Sequence, residues 1–248
     1  KFGVDKMEPL AYRYRPKNLD DIFGQHHLIG PNGPIRRMIN NHKIVSMILY
    51  GNPGIGKTTL AQAIGEELKI PFQTFNASTD NKNALKAFID EASLYDKFIL
   101  IVDEIHRMKK DIQDYLLPFV EEGRIILLGL TTINPYHSVN PAIRSRCLIF
   151  KLNELNKEDL TLALEKTINK INSQLTIDNN AKEYIVSKAS GDVRFMINTL
   201  EAITYIINDN NIALDDAKAI IQKPVIAVDK NEDNYYDTLS GLQKSIRG

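Results

Sequence analysis

Gly51-Asn52-Pro53-Gly54-Ile55-Gly56-Lys57-Thr58 follows the apolar run Met47 to Tyr50 and opens a segment with helical spacing, Thr58 to Leu68. Residues of these types in this order can wrap a phosphate. Glycines at 51, 54 and 56 allow backbone conformations that a Cβ forbids, and they bring successive N–H groups close to anionic oxygens. Lys57 would reach the β- and γ-phosphates of a nucleotide, and the Thr58 hydroxyl would hold Mg²⁺. Thr59 completes the stretch expected to line the nucleotide. A lysine at a helix N-terminus costs roughly 0.3–1 kcal/mol against the helix dipole, which a bound anion would offset. An ordinary glycine-rich turn is the simpler alternative, but its place between a strand and a helix favours nucleotide binding, with ATP and Mg²⁺ as the expected cofactors.

Other residues could complete the chemistry. Asp103-Glu104 ends the apolar run Phe98 to Val102. Two carboxylates at a sheet edge can divide the work: Asp103 would hold Mg²⁺, and Glu104 would orient the attacking water or take its proton. Alone, the pair reads equally well as a solvated acidic turn. Asn134 closes Thr131-Thr132-Ile133-Asn134 and could orient the water without adding charge, although an Asn before Pro135 also suits a turn. Arg146, with Arg144 nearby, could place a guanidinium on the charge that develops in phosphoryl transfer, often from a neighbouring subunit; composition alone favours a solvated arginine. Gly191-Asp192-Val193-Arg194 starts a helix that Asp192 can cap. Arg194 then sits in a first turn that disfavours cations unless an anion is near. The five histidines fall at positions 26, 27, 42, 106 and 137. They show no metal-ligand spacing and are expected to be structural or on the surface.

Positioning these residues requires a sheet. Strands are expected at Val45–Tyr50, Phe72–Asn76, Phe98–Asp103, Ile125–Thr131 and Cys147–Leu152, alternating with helices at Pro34–Asn41, Thr58–Leu68, Asn83–Tyr95 and Asp111–Glu121. Alternation of this kind implies parallel pairing, with ligands beyond the strand C-termini. From about Asn156 only helical spacing is read, at Glu158–Asn172, Ala181–Ala189, Val193–Asn208 and Leu214–Ile221, with no strand between them. The expected fold is therefore α/β: a core with a parallel sheet flanked by helices, then a small all-α lid. Residues 1–30 form a Pro-punctuated lead-in whose Tyr12, Ile22 and Phe23 could cap the core or wrap a nucleotide base. The core is placed at 31–154, the lid at 155–222, and a linker with the start of a C-terminal region, including a short helix at Tyr235–Ile246, at 223–248.

Composition narrows the class. The 248 residues are 43% hydrophobic and 25% charged, so an ordinary globular chain is expected. Formal net charge is zero, so nucleic acid would have to be held by a local basic patch. A single cysteine, Cys147, excludes an internal disulfide, fits a reducing compartment, and is expected to act as a small buried apolar residue. Cytoplasm is the default location, with no membrane partner, because the apolar runs are only strand-length. The chain opens on Lys1, as expected of a fragment or a tag remnant.

With these residues assembled, the chain resembles an AAA+ ATPase of the clamp-loader clade. It is most similar to the RarA/MgsA replication-associated recombination family, related to the eukaryotic Werner helicase-interacting protein. The likeness runs from residue 8 to 248 through PLAYRYRPKNLDDIFGQHHL, SMILYGNPGIGKTTLA, ILIVDEIHRMKKDIQDYLLPFVEEG, LLGLTTINPYHSVNPAIRSRC, GDVRFMINTLE and YYDTLSGLQKSIRG. PFVEEG, TTINP and KSIRG are the narrower pieces. The resemblance implies an α/β P-loop AAA+ core in which Gly51 to Thr58 is the Walker A loop and Asp103 and Glu104 are Walker B. It likewise makes Asn134 sensor 1, Arg146 an arginine finger and Arg194 sensor 2. Asn52 departs from a common Pro, Ile133 from a usual Glu, and Met108-Lys109 from Phe-Asn; none removes a candidate catalytic side chain. The resemblance also implies ATP hydrolysis stimulated by single-stranded DNA, DNA ends or gaps at stalled forks. It further implies single-stranded DNA-binding protein as a partner, nucleoid association, and a homotetramer formed by a helical domain beyond KSIRG. A clamp-loader subunit and a non-hydrolysing nucleotide-gated scaffold are the competing functions. Lys109 and Lys110 are candidate DNA contacts, or simply a solvated helix face.

Overall fold

The computed structural model describes residues 10–13, 15–207 and 209–221. In chain order, α1 (Leu10–Arg13), a 3₁₀ turn (Leu19–Asp21) and α2 (His26–Ile29) form the lead-in. The core follows with α3 (Pro34–Asn40), β1 (Met47–Tyr50), α4 (Lys57–Leu68), β2 (Phe72–Asn76), α5 (Lys82–Ala92), β3 (Phe98–Asp103), α6 (Lys110–Glu121), β4 (Ile125–Thr131), α7 (Pro135–Ser138), α8 (Pro141–Arg144) and β5 (Leu148–Lys151). The lid is α9 (Lys157–Ile171), β6 (Thr176–Ile177), α10 (Asn179–Ala189), α11 (Val193–Thr204), β7 (Asn211–Ile212) and α12 (Leu214–Ile220).

Five strands form one sheet in the order β2-β3-β4-β1-β5, and every pairing is parallel. A parallel sheet is covered on both faces, so its central strands must be apolar on both. Phe98 to Val102 and Leu127, Leu128 and Leu130 are accordingly shut off from solvent. Alternate residues face opposite cores. Met47, Leu49, Ile99, Ile101, Leu128 and Leu130 join a cluster with Leu60 and Ile64 of α4 that runs on into the lid through Leu160, Leu164, Ile185, Met196 and Leu200. Ile48, Phe75, Phe98, Leu100 and Val102 face Leu85, Ile89, Ile112 and Leu116 of α5 and α6. The register sets Tyr50 level with Thr131 and Val102 level with Gly129, so the chain leaves β1, β3 and β4 at one edge.

One expectation is corrected. The lid is not purely helical, because β6 and β7 pair in parallel, Thr176 with Asn211 and Ile177 with Ile212. Two-residue strands, each just ahead of a helix, are too short to carry a period-2 signal. Other differences are at element ends. α5 stops at Ala92 instead of Tyr95, and α11 stops at Thr204 instead of Asn208. The lead-in is less irregular than its prolines suggest. Leu19 N–H donates to the Glu67 carboxylate of α4 at 2.8 Å, and the Arg15 guanidinium donates to Gln62 at 3.0 Å. Buried Gln25 exchanges hydrogen bonds with the backbone of Asn153, at 2.8 Å to its carbonyl and 2.9 Å from its N–H. Ile22 and Phe23 pack against the core cluster, and the Lys166 ammonium lies 5.4 Å from the Phe23 ring centre. The linker and helix expected at 223–248, and the side chain of Tyr12, lie outside the described residues. Among those described, no helix is long and apolar enough to cross a membrane.

Candidate functional site

The loop at residues 51–56 leaves β1 at the shared edge, where Gly51 N–H donates to the Thr131 carbonyl at 3.2 Å. Lys57 folds back over it, its Nζ donating to the carbonyls of Gly51 and Asn52, both at 2.7 Å. Neutral carbonyls are weaker partners for an ammonium than a phosphate oxygen, so an anion entering the loop can displace them. Burial pulls Lys57 below the ordinary lysine pKa; the Asp103 carboxylate raises it again, and the Arg194 guanidinium lowers it. Asp103 and Arg194, from two distant segments, therefore both act on Lys57. A carboxylate and a second cation near the loop lysine suit a metal-bound polyphosphate. Thr58 and Thr59 stand half-buried in the first turn of α4, beside Lys57.

The lid reaches this loop directly. Asp192 caps α11 by accepting the Phe195 N–H at 2.9 Å, and the next residue, Val193, donates its N–H to the Gly54 carbonyl at 3.2 Å. Gly54 has φ +75°, and a Cβ there would lie 2.1 Å from the Asp192 carboxylate. Gly56 has φ +96° but open space where its Cβ would be. The comparison gives a prediction. Both Gly→Ala changes incur about 1–2 kcal/mol for left-handed backbone, while Gly54→Ala must also push the lid away. In thermal unfolding without nucleotide, Gly54→Ala is expected to lower Tm clearly more than Gly56→Ala; equal shifts would mean that the lid does not rest on Gly54.

Asp103 Oδ1 accepts the Glu104 N–H at 3.0 Å. Glu104 adopts φ +51°, an unfavourable left-handed conformation for a residue with a side chain. Its carboxylate accepts a hydrogen bond from the Ser78 hydroxyl in the turn after β2 and pairs with Arg107 Nε at 3.4 Å. With side chains 39% and 60% exposed, that ion pair contributes little, within about 1 kcal/mol. Glu104 is therefore held lightly enough to turn toward a substrate.

Asn134 stands at the same edge, and its Oδ1 accepts the Tyr136 N–H at 3.0 Å, capping α7. The turn role is thus present, and only the amide NH₂ is left over for a ligand. Arg194 is exposed in the first turn of α11. Arg146 is not brought to this group. It lies two residues before β5, whose first residue pairs with Met47 at the start of β1, a strand length of about 13 Å from the loop edge. Its guanidinium donates to the Ala142 carbonyl at 2.6 Å and pairs with Glu121 at the end of α6. Arg144 is engaged locally, donating to the Tyr136 carbonyl at 2.6 Å and lying 5.3 Å from that residue's ring. Cys147 is partly and not fully buried, and burial pushes its thiol up to about 12. Sequence reasoning missed Ser78, Arg107, Glu121 and the seating of Asp192 on Gly54. Arg107 pairs locally, three residues from Glu104, while the others depend on pairing between distant segments, and only the FVEEG run around Glu121 stood out in the sequence.

A parallel sheet in this strand order, with a phosphate-binding type of loop after β1, an inner strand between β4 and β5, is the build of AAA ATPases, which are ATP-hydrolysing enzymes. The family model "ATPase family associated with various cellular activities (AAA)" matches residues 47–155, and the "AAA C-terminal domain" model matches 171–247. Replication-associated recombination protein A of Bacillus subtilis is 44% identical over 98% of this chain and 60% of that protein. Its namesake in Haemophilus influenzae is 34% identical over 100% of this chain and 58% of that protein. ATPase WRNIP1 of Dictyostelium discoideum is 34% identical over 100% of this chain and 31% of that protein. The chain belongs to the replication-associated recombination protein A family of AAA ATPases. It spans about 60% of the length of its Bacillus subtilis relative. Among solved structures, the Thermotoga maritima RuvB Holliday junction branch migration motor matches with a TM-score of 0.71 at 23% identity, covering 83% of this chain and 71% of that one, a likeness of fold.

Proposed function

We propose that this chain is the ATPase core and lid of a DNA-dependent ATPase of replication-fork maintenance and recombination. The observation that carries the reading is the hydrogen bond from Val193 N–H to the Gly54 carbonyl, which brings the first turn of α11, with Arg194, to the phosphate loop, where Asp103 and Arg194 both act on Lys57. In this reading residues 51–59 hold ATP. The Thr58 hydroxyl and Asp103 would hold Mg²⁺, which when bound draws charge from the phosphates. Glu104 orients the attacking water and accepts its proton, Asn134 steadies that water through its NH₂, and Arg194 meets the γ-phosphate from the lid. Residues 31–154 act as the core, 155–222 as the lid, 1–30 as the lead-in, and 223–248 as the link to a C-terminal region. The names of the relatives support replication-associated recombination as the setting; DNA at forks is part of the proposal, with exposed Lys109 and Lys110 as candidate contacts to its phosphates. Single-stranded DNA-binding protein as a partner, a tetramer of the full-length protein and a nucleoid-associated cytoplasmic location belong to the same proposal.

The test is ATP turnover by the full-length protein with and without single-stranded or forked DNA. Stimulation by DNA is expected. Absence of turnover in every condition would favour a nucleotide-gated scaffold, and dependence on a sliding clamp would favour a loader. A narrower prediction concerns Arg194. Since its guanidinium already acts on Lys57 across the core–lid boundary, Arg194→Ala should lose preference for ATP over ADP by about 10-fold, equivalent to one ordinary charge-assisted contact. Paired ATP and ADP titrations that give the wild-type ratio would return Arg194 to a surface role.

A further inference from the structure

Buried Thr131, 1% exposed at the end of β4, is the meeting point of the edge. Its carbonyl accepts the Gly51 N–H. Its hydroxyl oxygen lies 3.0 Å from His106 Nδ1, 3.2 Å from the Ile133 carbonyl oxygen and 3.1 Å from the Ile133 N–H. A hydroxyl has one proton to donate and two lone pairs to accept with. The Ile133 N–H takes one lone pair. If His106 Nδ1 lacked a proton, it and the Ile133 carbonyl would compete for the single hydroxyl proton, and one contact would fail. If Nδ1 carries the proton, it donates to the second lone pair, the hydroxyl donates to Ile133, and all three contacts are met together. Burial lowers the His106 pKa against the pull of Glu104, keeping the ring neutral.

We infer that His106, as its Nδ1–H tautomer, is a positioning residue that locks the turn carrying Asn134 to the turn carrying Glu104 through the Thr131 hydroxyl. His106 lies two residues after Glu104, and Ile133 lies one residue before Asn134. The two groups assigned to the attacking water sit on separate loops, and the His106–Thr131 hydrogen bond joins those loops side chain to side chain. The same Thr131 carries the first backbone contact of the phosphate loop, so one buried residue sets the level of all three. The inference rests on the ATPase reading above for its effect on rate, though the tautomer does not.

The test uses the full-length protein. Long-range ¹H–¹⁵N spectra of the His106 ring read the tautomer directly; the Nδ1–H form is expected, and the Nε2–H form would overturn the inference whether or not the protein hydrolyses ATP. In turnover assays, His106→Ala and Thr131→Val should each lower kcat by about 10²-fold, the scale of a small misplacement in an active site, with ATP affinity unchanged. The two losses should not multiply, because they break one linkage. His106→Asn, whose amide nitrogen can occupy the Nδ1 position, should restore most of the rate, and His106→Gln, whose amide lies one bond further out, should not. Multiplying losses, a loss confined to ATP affinity, or equal behaviour of Asn and Gln would overturn the positioning role. A wild-type protein with no turnover would remove that role together with the ATPase reading, and the ring spectra would show which part failed.

Discussion

Glu104→Gln is expected to yield a protein that binds ATP and barely turns it over. The amide keeps the shape of the carboxylate but cannot accept a proton from water, and loss of a general base of this kind costs typically 10²–10⁴ in rate. Folding should be little affected. The ion pair that the change removes is the exposed one with Arg107, worth no more than about 1 kcal/mol, and Gln can still accept from Ser78. Lys57→Ala should give the opposite pattern: loss of nucleotide binding itself, since it removes the loop's own cation. Together the variants separate binding from chemistry. ATP retention on the protein, measured beside phosphate release, is the assay. Wild-type turnover in Glu104→Gln would show that another group activates the water.

Arg146→Ala should abolish most turnover through a neighbouring subunit. Loss of an arginine that stabilises phosphoryl transfer costs roughly 10³–10⁵ in rate, yet Arg146 sits at the wrong end of its own sheet to reach its own loop. It is held by Glu121 and the Ala142 carbonyl, with side chains of the pair 36% and 43% exposed. A pair that exposed is weak enough for a docking subunit to break. Mixing full-length Arg146→Ala with full-length Glu104→Gln, each dead alone, should therefore restore part of the activity, because some interfaces combine an intact Glu104 with an intact Arg146. Co-assemblies that bind ATP but stay silent at every ratio would sink action in trans.

The parallel core was legible because a sheet covered on both faces needs unbroken apolar strands, and Phe98 to Val102 and Ile125 to Leu130 supply them. The loop was legible because its chemistry is local, eight residues in a row. The surroundings of Glu104 were not. Ser78 is 26 residues away and becomes a neighbour only because β2 and β3 are adjacent in the sheet. Asp192 could be read as a helix cap, since capping is a three-residue matter, but nothing in GDVR announces that it will press on Gly54. β6 and β7 escaped for want of length. The lead-in escaped because side-chain to backbone bonds, such as Gln25 to Asn153, hold it in place of a periodic apolar face.

The lead-in has a mechanical consequence. It is fastened to α4 through Glu67 and Gln62 and to the lid through α1, where the Leu10 N–H donates to Glu201 of α11 at 3.1 Å. The chain itself makes the second attachment, between β5 and α9, and there Gln25 clamps Asn153 while Asn52 of the phosphate loop bonds Glu154. A body joined at one point can swing in any direction; joined at two, it can only rotate about the line between them. The lid is held at these two pins as well as on its Gly54 seat and through the apolar cluster it shares with the core, and the line between the pins is the axis about which it would turn if that seat were released. Cutting one pin, by Glu201→Ala, would add directions of motion without touching a residue of the nucleotide site.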